Sequence, residues 1–333
     1  MRIAIIGGGF CGYHCAKALE SKNTVTLFDT KPYFEYTPSV HKLLTNAGYA
    51  EKIQKPWDKV LKNTTLIQES VQSLTNSRAT SQNHNVVFDY AIVCTGVSYP
   101  IFLKDTTDVY TVTKGEQVKN LAPVLAQAKN VLVIGGGLIG VEVAAEIAES
   151  AQAKLTIVHP GDRLIERNPA KASNYAKDWL EKHHATILFG EKVVDREKSA
   201  FITDKGKRID ADLVFWCAGI KAEAPFFVGE KDEKGYIVVN EFLQSSLPNV
   251  FVGGDIAGVQ EEKTAQNAHL HADVIVHNLT ALAEKKKMGT YTSKPRIMAI
   301  SLGNRKGICT KGSKVWNGLL PALLKKFVEF KEK

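Results

Sequence analysis

Two glycine triplets are the residues in this chain most suited to chemistry. Gly7, Gly9 and Gly12 stand in RIAIIGGGFCGYHCAKALE, and Gly135, Gly137 and Gly140 stand in VLVIGGGLIGVEVAAEIAE. Each triplet is a complete GxGxxG, and the two lie 128 residues apart. One such triplet is a weak signal; two in the same setting are a strong one. The three glycines have separate tasks: a tight turn, close approach of backbone to a pyrophosphate, and close packing of helix on strand. A phosphate then meets the free N–H groups and the positive end of the following helix.

The elements that must hold these glycines can be read on either side of them. Arg2–Ile6 and Val131–Ile134 are short, β-branched apolar runs, as expected of buried parallel strands. A helix should follow each triplet. The apolar run Val131–Ala148 is long enough to resemble a membrane span, but the glycine cluster, Glu142 and Glu146 break it. It reads as strand, turn and helix. A second strand, TVTLFD, ends at Asp29, 22 residues after Gly7, where an acid accepts hydrogen bonds from a ribose hydroxyl. The corresponding place in the second unit, at the end of KLTIVHP, falls near His159. No acid stands there, and Arg163 lies close enough in sequence to favour a 2′-phosphate weakly. NADH and NADPH both remain open. FDYAIVCTG and ADLVFWCAG repeat in kind, ending at Thr95-Gly96 and at Gly219, and NVFVGGDIAG places Asp255 after a strand and a glycine pair. An acid there suits the hydroxyls of a large cofactor.

Composition agrees with a globular, two-domain chain. Of 333 residues, 44% are hydrophobic and 23% charged, and the formal net charge is +8. From Glu284 onward there are thirteen Lys or Arg, three Glu and no Asp, a net of +10 that leaves −2 for the rest. A basic end points to an anionic partner, a membrane surface or nucleic acid, and no nucleic-acid reading motif accompanies it. Nucleic acid is therefore not the expected partner. Five cysteines without regular spacing do not form a secreted disulfide framework, and no leader precedes the first strand-like run. A cytoplasmic location, peripheral on a membrane if the tail binds one, is the expectation.

The order GGGFCG, CTG, GGGLIG, CAG, GGDIAG resembles the two-dinucleotide-binding-domain flavoproteins over nearly the whole chain. YFEYTPSVHKLLTNAG, EKTAQNAHLHADVIVHNL and GGGLIGVEVAAEI are similar to segments of type II NADH dehydrogenases. SKPRIMAISLGNRKGIC looks like the ferroptosis suppressor proteins, which are apoptosis-inducing-factor-like quinone reductases. The resemblance implies an α/β fold with two Rossmann-like domains, the second inserted in the first. It places FAD on 1–109 and 241–283 and NAD(P)H on 110–240, with 284–333 a basic segment ending in an amphipathic helix. FAD would rest on Gly7, Gly9, Gly12, Asp29, Gly96 and Asp255, with Thr95 beside Gly96. Pro38 would turn beside the flavin, and the helix beginning near Thr264 and Ala265 would face it. NAD(P)H would rest on Gly135, Gly137 and Gly140, with His159 and Gly219 nearby.

For catalysis the resemblance points to Glu142, Lys263, His271 and, through the Lys294-Pro295 pair, Lys294. Glu142 would orient the nicotinamide or relay a proton, although an acid early in a helix is favourable in any case. Lys263 would add positive charge near a reduced flavin, or it is a solvated loop lysine. His269 and His271 are candidate proton donors, or packing residues. Disulfide reductases of the superfamily carry a Cys pair beside the flavin, and none stands at the matching place here. Cys11 and Cys15 share a helix face and read as core. Electrons should then pass from FAD directly to a quinone. Sulfide:quinone chemistry, ferredoxin or oxygen as acceptors, and a redox-sensing interaction protein, are the alternatives. In KVWNGLLPALLKKFVEFKEK, apolar pairs recur every four residues between flanking lysines, which predicts an amphipathic helix with Pro321 kinking or starting it. It would dock on an anionic membrane, on a second subunit of a homodimer, or on its own domains.

Overall fold

The computed structural model describes every residue except Asp105, Arg296, Glu332 and Lys333, and every side chain but those four and Phe330 and Lys331. Of the lysines flanking the tail, Lys333 and the side chain of Lys331 thus lie outside the described residues. The chain forms two compact units. The first comprises 1–35, 54–98 and 220–294, and the second 36–53, 99–219 and 295–333. Their breaks fall at Ser98/Tyr99 and Gly219/Ile220, whereas the sequence analysis put them near 109 and 240. The C-terminal segment from Pro295 is built into the second unit.

The first unit is built on a five-stranded parallel sheet in the order Val250–Val252, Tyr90–Val93, Arg2–Ile6, Thr24–Phe28, Thr64–Ile67. Its central strand is buried over Ile3–Ile6, as expected of a parallel strand covered on both faces. Register decides what comes next. Ile6 pairs with Phe28, so the residues that follow, Gly7 and Asp29, emerge side by side. The helix Phe10–Leu19 then runs back along the sheet and packs against the helix Ala265–Ala283. Small buried residues, Cys15 and Ala16 on one and Ala268 and Ala272 on the other, let the two approach.

The second unit repeats the plan. Its parallel sheet runs Val109–Tyr110, Leu213–Trp216, Asn130–Ile134, Lys154–His159, Thr186–Phe189. Ile134 pairs with Val158, which sets Gly135 beside His159. The helix Leu138–Ser150 follows the glycines.

The C-terminal part holds a three-stranded antiparallel sheet, Ile297–Leu302, Lys306–Lys311 and Lys314–Gly318, followed by the helix Leu319–Lys331. The expected amphipathic helix is therefore shorter at its start than predicted. Lys314–Gly318 pairs as a strand, with Trp316 opposite Cys309, because β-branched Val315 and Trp316 suit a sheet edge. Gly318 at φ 102° then ends the strand. Pro321 lies in the helix's first turn, where its missing N–H is harmless, so it starts the helix and does not kink it.

The apolar stripe of that helix does not face its own unit. Leu319, Leu320, Leu323, Leu324 and Phe327 are exposed, while Ala322, Lys325 and Glu329 are buried. The charged residues fasten it. Lys325 pairs with Glu142, and Glu329 accepts hydrogen bonds from Ser39 (2.7 Å) and Tyr49 (2.6 Å).

Candidate nucleotide-binding sites

In the first unit the glycine turn and Asp29 form one structure. Gly8 N–H donates to Asp29 Oδ2 at 2.6 Å, and Lys31 N–H donates to Oδ1 at 2.7 Å. Two backbone donors fix the carboxylate where the sequence placed a ribose-binding acid. The helix ladder begins with Tyr13 N–H to Gly9 O, so the N–H groups ahead of it open the helix without an intrahelical partner. A Cβ at Gly9 would meet nothing within 4 Å, whereas one at Gly12 would overlap the Gly7 carbonyl oxygen. Open space over Gly9 is the cradle that a pyrophosphate needs, so these residues fit a dinucleotide.

Beside this cradle stands the Gly253–Gly254–Asp255 turn. Gly254 N–H donates to His271 Nδ1 at 3.1 Å, and His271 Nε2 lies 3.0 Å from Glu261 Oε1. Tyr291 in turn donates its hydroxyl to Glu261 at 2.7 Å. Since Nδ1 accepts, the ring proton sits on Nε2, which lies close to the carboxylate without an aligned hydrogen bond. His271 is buried in this chain of contacts, so the structure places it as a support of the turn. Burial raises the Asp255 carboxyl above the usual range, against the opposing charge of Lys263. Burial likewise lowers Lys263, whose ammonium donates to Ala257 O (2.6 Å) and Val259 O (3.3 Å) over the ring of Tyr236. Lys263 is thus not a solvated loop lysine. Thr264 caps the helix Ala265–Ala283, its hydroxyl accepting from Asn267 N–H at 3.2 Å. Thr95 donates to Glu223 O at 2.5 Å, which anchors the turn that carries Gly96. Lys294 is exposed on the irregular stretch that ends this unit, and the His14 and His269 rings lie tilted against each other, 3.7 Å between centroids.

In the second unit a histidine takes the place of Asp29. Gly136 N–H donates to His159 Nδ1 at 3.1 Å. A Cβ at Gly137 would again meet nothing within 4 Å, and one at Gly140 would overlap the Gly135 carbonyl oxygen. The cradle is the same, and so is the fit. Gly219, at φ 73°, follows the neighbouring strand Leu213–Trp216. Arg163 does not stand ready for a phosphate, as its proximity in sequence suggested. Its guanidinium donates to Asn168 O (3.0 Å) and Glu166 O (2.5 Å), because the loop folds around it.

Glu142 and Pro38 also belong to the second unit. Pro38 lies near the start of the 3-10 helix Thr37–Leu44. Glu142 does not merely face solvent at a helix start. Its carboxylate pairs with Lys325, accepts from Ser301 N–H (2.8 Å) and Ser301 Oγ (3.0 Å), and lies 3.9 Å from His41 Nδ1. Burial alone would raise its pKa; Lys325, then His41 and the Ser301 hydrogen bond, hold it below the usual carboxylate range. Burial pushes His41 down to about 3, with Lys325 and Lys42 adding to the effect against Glu142. Lys325, expected as one of the exposed lysines flanking the tail's stripe, is instead buried against Glu142, and neither His41 nor Ser301 had an expected role. The available signal was the spacing of Lys325 and Glu329, four apart and on one helix face.

All five cysteines are free and buried. Burial raises Cys11 well above the usual thiol range and pushes Cys217 up to about 12. Cys11 and Cys15 are core residues, as their helix spacing suggested. No described helix is long and apolar enough to cross a membrane, the run Val131–Ala148 included.

Two glycine-turn cradles on two parallel sheets define a class of protein with two dinucleotide-binding sites. The chain belongs to the pyridine nucleotide-disulphide oxidoreductase family, whose model matches residues 1–272. Its cofactors are FAD and NAD(P)H, and it is an NAD(P)H-dependent flavoprotein oxidoreductase. Among curated proteins it is similar to Ferroptosis suppressor protein 1 of Xenopus tropicalis, 28% identical over 92% of this chain and 88% of that one. It is also similar to the Type II NADH:quinone oxidoreductase of Haemophilus influenzae, 27% identical over 53% of this chain and 45% of that one. Among solved structures, NDH2 from Plasmodium falciparum in complex with NADH matches in fold. Its TM-score is 0.88 at 16% identity, covering 99% of this chain and 94% of that one.

Proposed function

We propose that the protein takes a hydride from NAD(P)H onto FAD and passes two electrons to a quinone, without a dithiol relay. The observation that carries this reading is the state of the cysteines. Five buried, unpaired thiols, of which burial raises Cys11 and Cys217, make poor redox relays, which favours a diffusible acceptor. Similarity to a relative named as a quinone oxidoreductase supports a quinone as that acceptor. The first unit would hold FAD through Gly7, Gly9, Gly12, Asp29, Thr95, Gly96 and Asp255. The second would hold the pyridine nucleotide through Gly135, Gly137, Gly140, His159 and Gly219. The cofactors, when bound, supply the hydride chemistry. The chain binds and orients them, and the capped start of Ala265–Ala283 offers a positive helix end to an anionic flavin. The test is direct. Purified protein should show a flavin spectrum, bleach on adding NADH or NADPH, and recolour with ubiquinone analogues. A bleached flavin that recolours with none of a quinone panel would sink the quinone reading.

The exposed leucines extend the same proposal to a membrane surface. A helix that turns its charges inward and its leucines outward, between basic residues, suits the interface where a lipophilic quinone resides. The triple variant Leu320→Ser, Leu323→Ser, Lys326→Glu changes only exposed positions. It should weaken binding to vesicles containing anionic lipid by about tenfold or more per leucine. Turnover of a water-soluble quinone should be unchanged. Undiminished vesicle binding would place the dock elsewhere.

A further inference from the structure

We infer that Glu166, held against His159 by the loop between them, makes the second unit select a 2′-hydroxyl over a 2′-phosphate, and so NADH over NADPH. This rests on the reading of that unit as the pyridine-nucleotide site. The end of Lys154–His159 lacks the acid that Asp29 supplies in the first unit. The fold brings one back from seven residues further on. His159 Nε2 lies 3.5 Å from Glu166 Oε1. Glu166 also covers Gly161 so closely that a Cβ there would overlap its carboxylate.

The loop is pinned to the glycine turn itself. Gly136 N–H donates to His159 Nδ1, and Gly136 O accepts from Ile165 N–H at 2.8 Å. Both sides of one residue thus hold the histidine and the residue next to Glu166. Asn168 N–H to Ile165 O (2.8 Å), Ser173 Oγ to Leu164 O (2.5 Å) and the Arg163 clamp on Glu166 O and Asn168 O close the loop. Ile165 sits at φ 44°, a conformation that a β-branched residue adopts only where its surroundings impose it. The backbone around Glu166 is therefore fixed, while its carboxylate remains about half exposed.

The chemistry follows from the tautomer. Because Nδ1 accepts from Gly136, the ring proton is on Nε2. His159 is more than nine-tenths buried, and this Nε2 makes no hydrogen bond. A donor and a carboxylate acceptor stand side by side, 3.5 Å apart, at the strand end where a Rossmann unit meets the adenosine ribose. A ribose hydroxyl can donate to the half-exposed Glu166 carboxylate, while the buried Nε2–H lies against that carboxylate from behind. A 2′-phosphate has no proton to donate and meets a like charge. His159 and Glu166 together do the work of Asp29, with the charge moved one imidazole further from the turn.

The experiment is calorimetric titration of the flavin-loaded protein with ADP-ribose and with ADP-ribose 2′-phosphate, neither of which can be oxidised or reduced by it. The wild type should prefer ADP-ribose by at least about tenfold, the scale of one hydrogen bond to a charged group. Glu166→Gln should narrow that ratio, and Glu166→Arg should reverse it. Gly161→Ala should narrow it too, by displacing a carboxylate that is still present. The flavin spectrum and melting temperature report that each variant is folded. If both ligands bind the wild type equally, or Glu166→Gln leaves the ratio unchanged, the inference is overturned while the nucleotide site stands. A wild-type preference for the phosphate, through exposed Arg167 for example, overturns it as well. If neither ligand binds, the reading of the second unit as the nucleotide site fails, and the inference with it.

Discussion

Gly9→Ala is expected to leave the polypeptide as stable as the wild type and to strip it of flavin. Gly9 has φ −71° and ψ −167°, an extended conformation that alanine adopts freely. Nothing in the protein lies within 4 Å of the added methyl. The methyl would instead occupy the space through which a pyrophosphate reaches the helix N-terminus. Losing even one hydrogen bond to a charged phosphate costs roughly tenfold to a hundredfold in affinity. Gly12→Ala should behave in the opposite manner. Its methyl overlaps the Gly7 carbonyl oxygen, a backbone atom that cannot step aside. That variant should lose about 1–3 kcal/mol or more of stability, the cost of overpacking. Urea unfolding, together with absorbance of the protein-bound flavin, separates the two. The second unit offers an internal control. Gly137 has the same backbone, φ −73° and ψ −170°, and the same open space. Gly137→Ala should therefore retain flavin and lose ADP-ribose binding. A Gly9→Ala protein that keeps its flavin would show that the cradle is not where the pyrophosphate lies.

Lys325→Met should be among the most destabilising single changes in the second unit. It leaves Glu142, nine-tenths buried in side-chain terms, without its cation. Breaking one side of a buried pair costs about 3–5 kcal/mol, whereas replacing both partners is often close to neutral. The double variant Glu142→Gln, Lys325→Met should therefore recover most of the loss in urea unfolding. Trypsin gives a second readout, since a loosened Leu319–Lys331 helix opens the backbone beside the surface residue Lys326 to cleavage. Additive losses in the double variant would mean that the pair is not coupled.

Acid should act on the same cluster. His41 is neutral when folded, with its pKa pushed down to about 3, and must take up a proton on unfolding below its ordinary pKa. Between roughly pH 6.5 and 3 the unfolded chain binds the extra proton, so stability falls as pH falls. Glu142, held below its ordinary value, adds a loss in the same direction at lower pH. For His41 the loss is roughly 2 kcal/mol by pH 5. His41→Asn should flatten the dependence of the melting temperature on pH between 7.5 and 5. An unaltered slope in that variant would assign the acid sensitivity to another group.

The sequence by itself determined the two cradles. Apolar strands too short for anything but a buried parallel sheet, followed by glycines at GxGxxG spacing, leave few alternatives, because these are local constraints. Strand pairing then follows from apolar pattern and length, so Asp29 falls beside Gly7 without further information. The core character of Cys11 and Cys15 was legible for the same reason, while the helix start near Thr264 came from the family resemblance. Where the outcome depended on which distant segments meet, only the tertiary structure decided it. Glu142 meets Lys325, Ser301 and His41 through contacts that span up to 183 residues, and no local period encodes them. The tail's stripe of leucines left a membrane, a second subunit and the chain's own domains all open as the surface it would face. Its orientation was set instead by two buried charges that find partners on one side, since an unpaired buried charge costs more than an exposed leucine. Glu166 is the sharpest case. Read along the chain, it stands seven residues too late to be the ribose acid. The loop that returns it to His159 is closed by backbone hydrogen bonds to a glycine turn whose side chains carry no information about it.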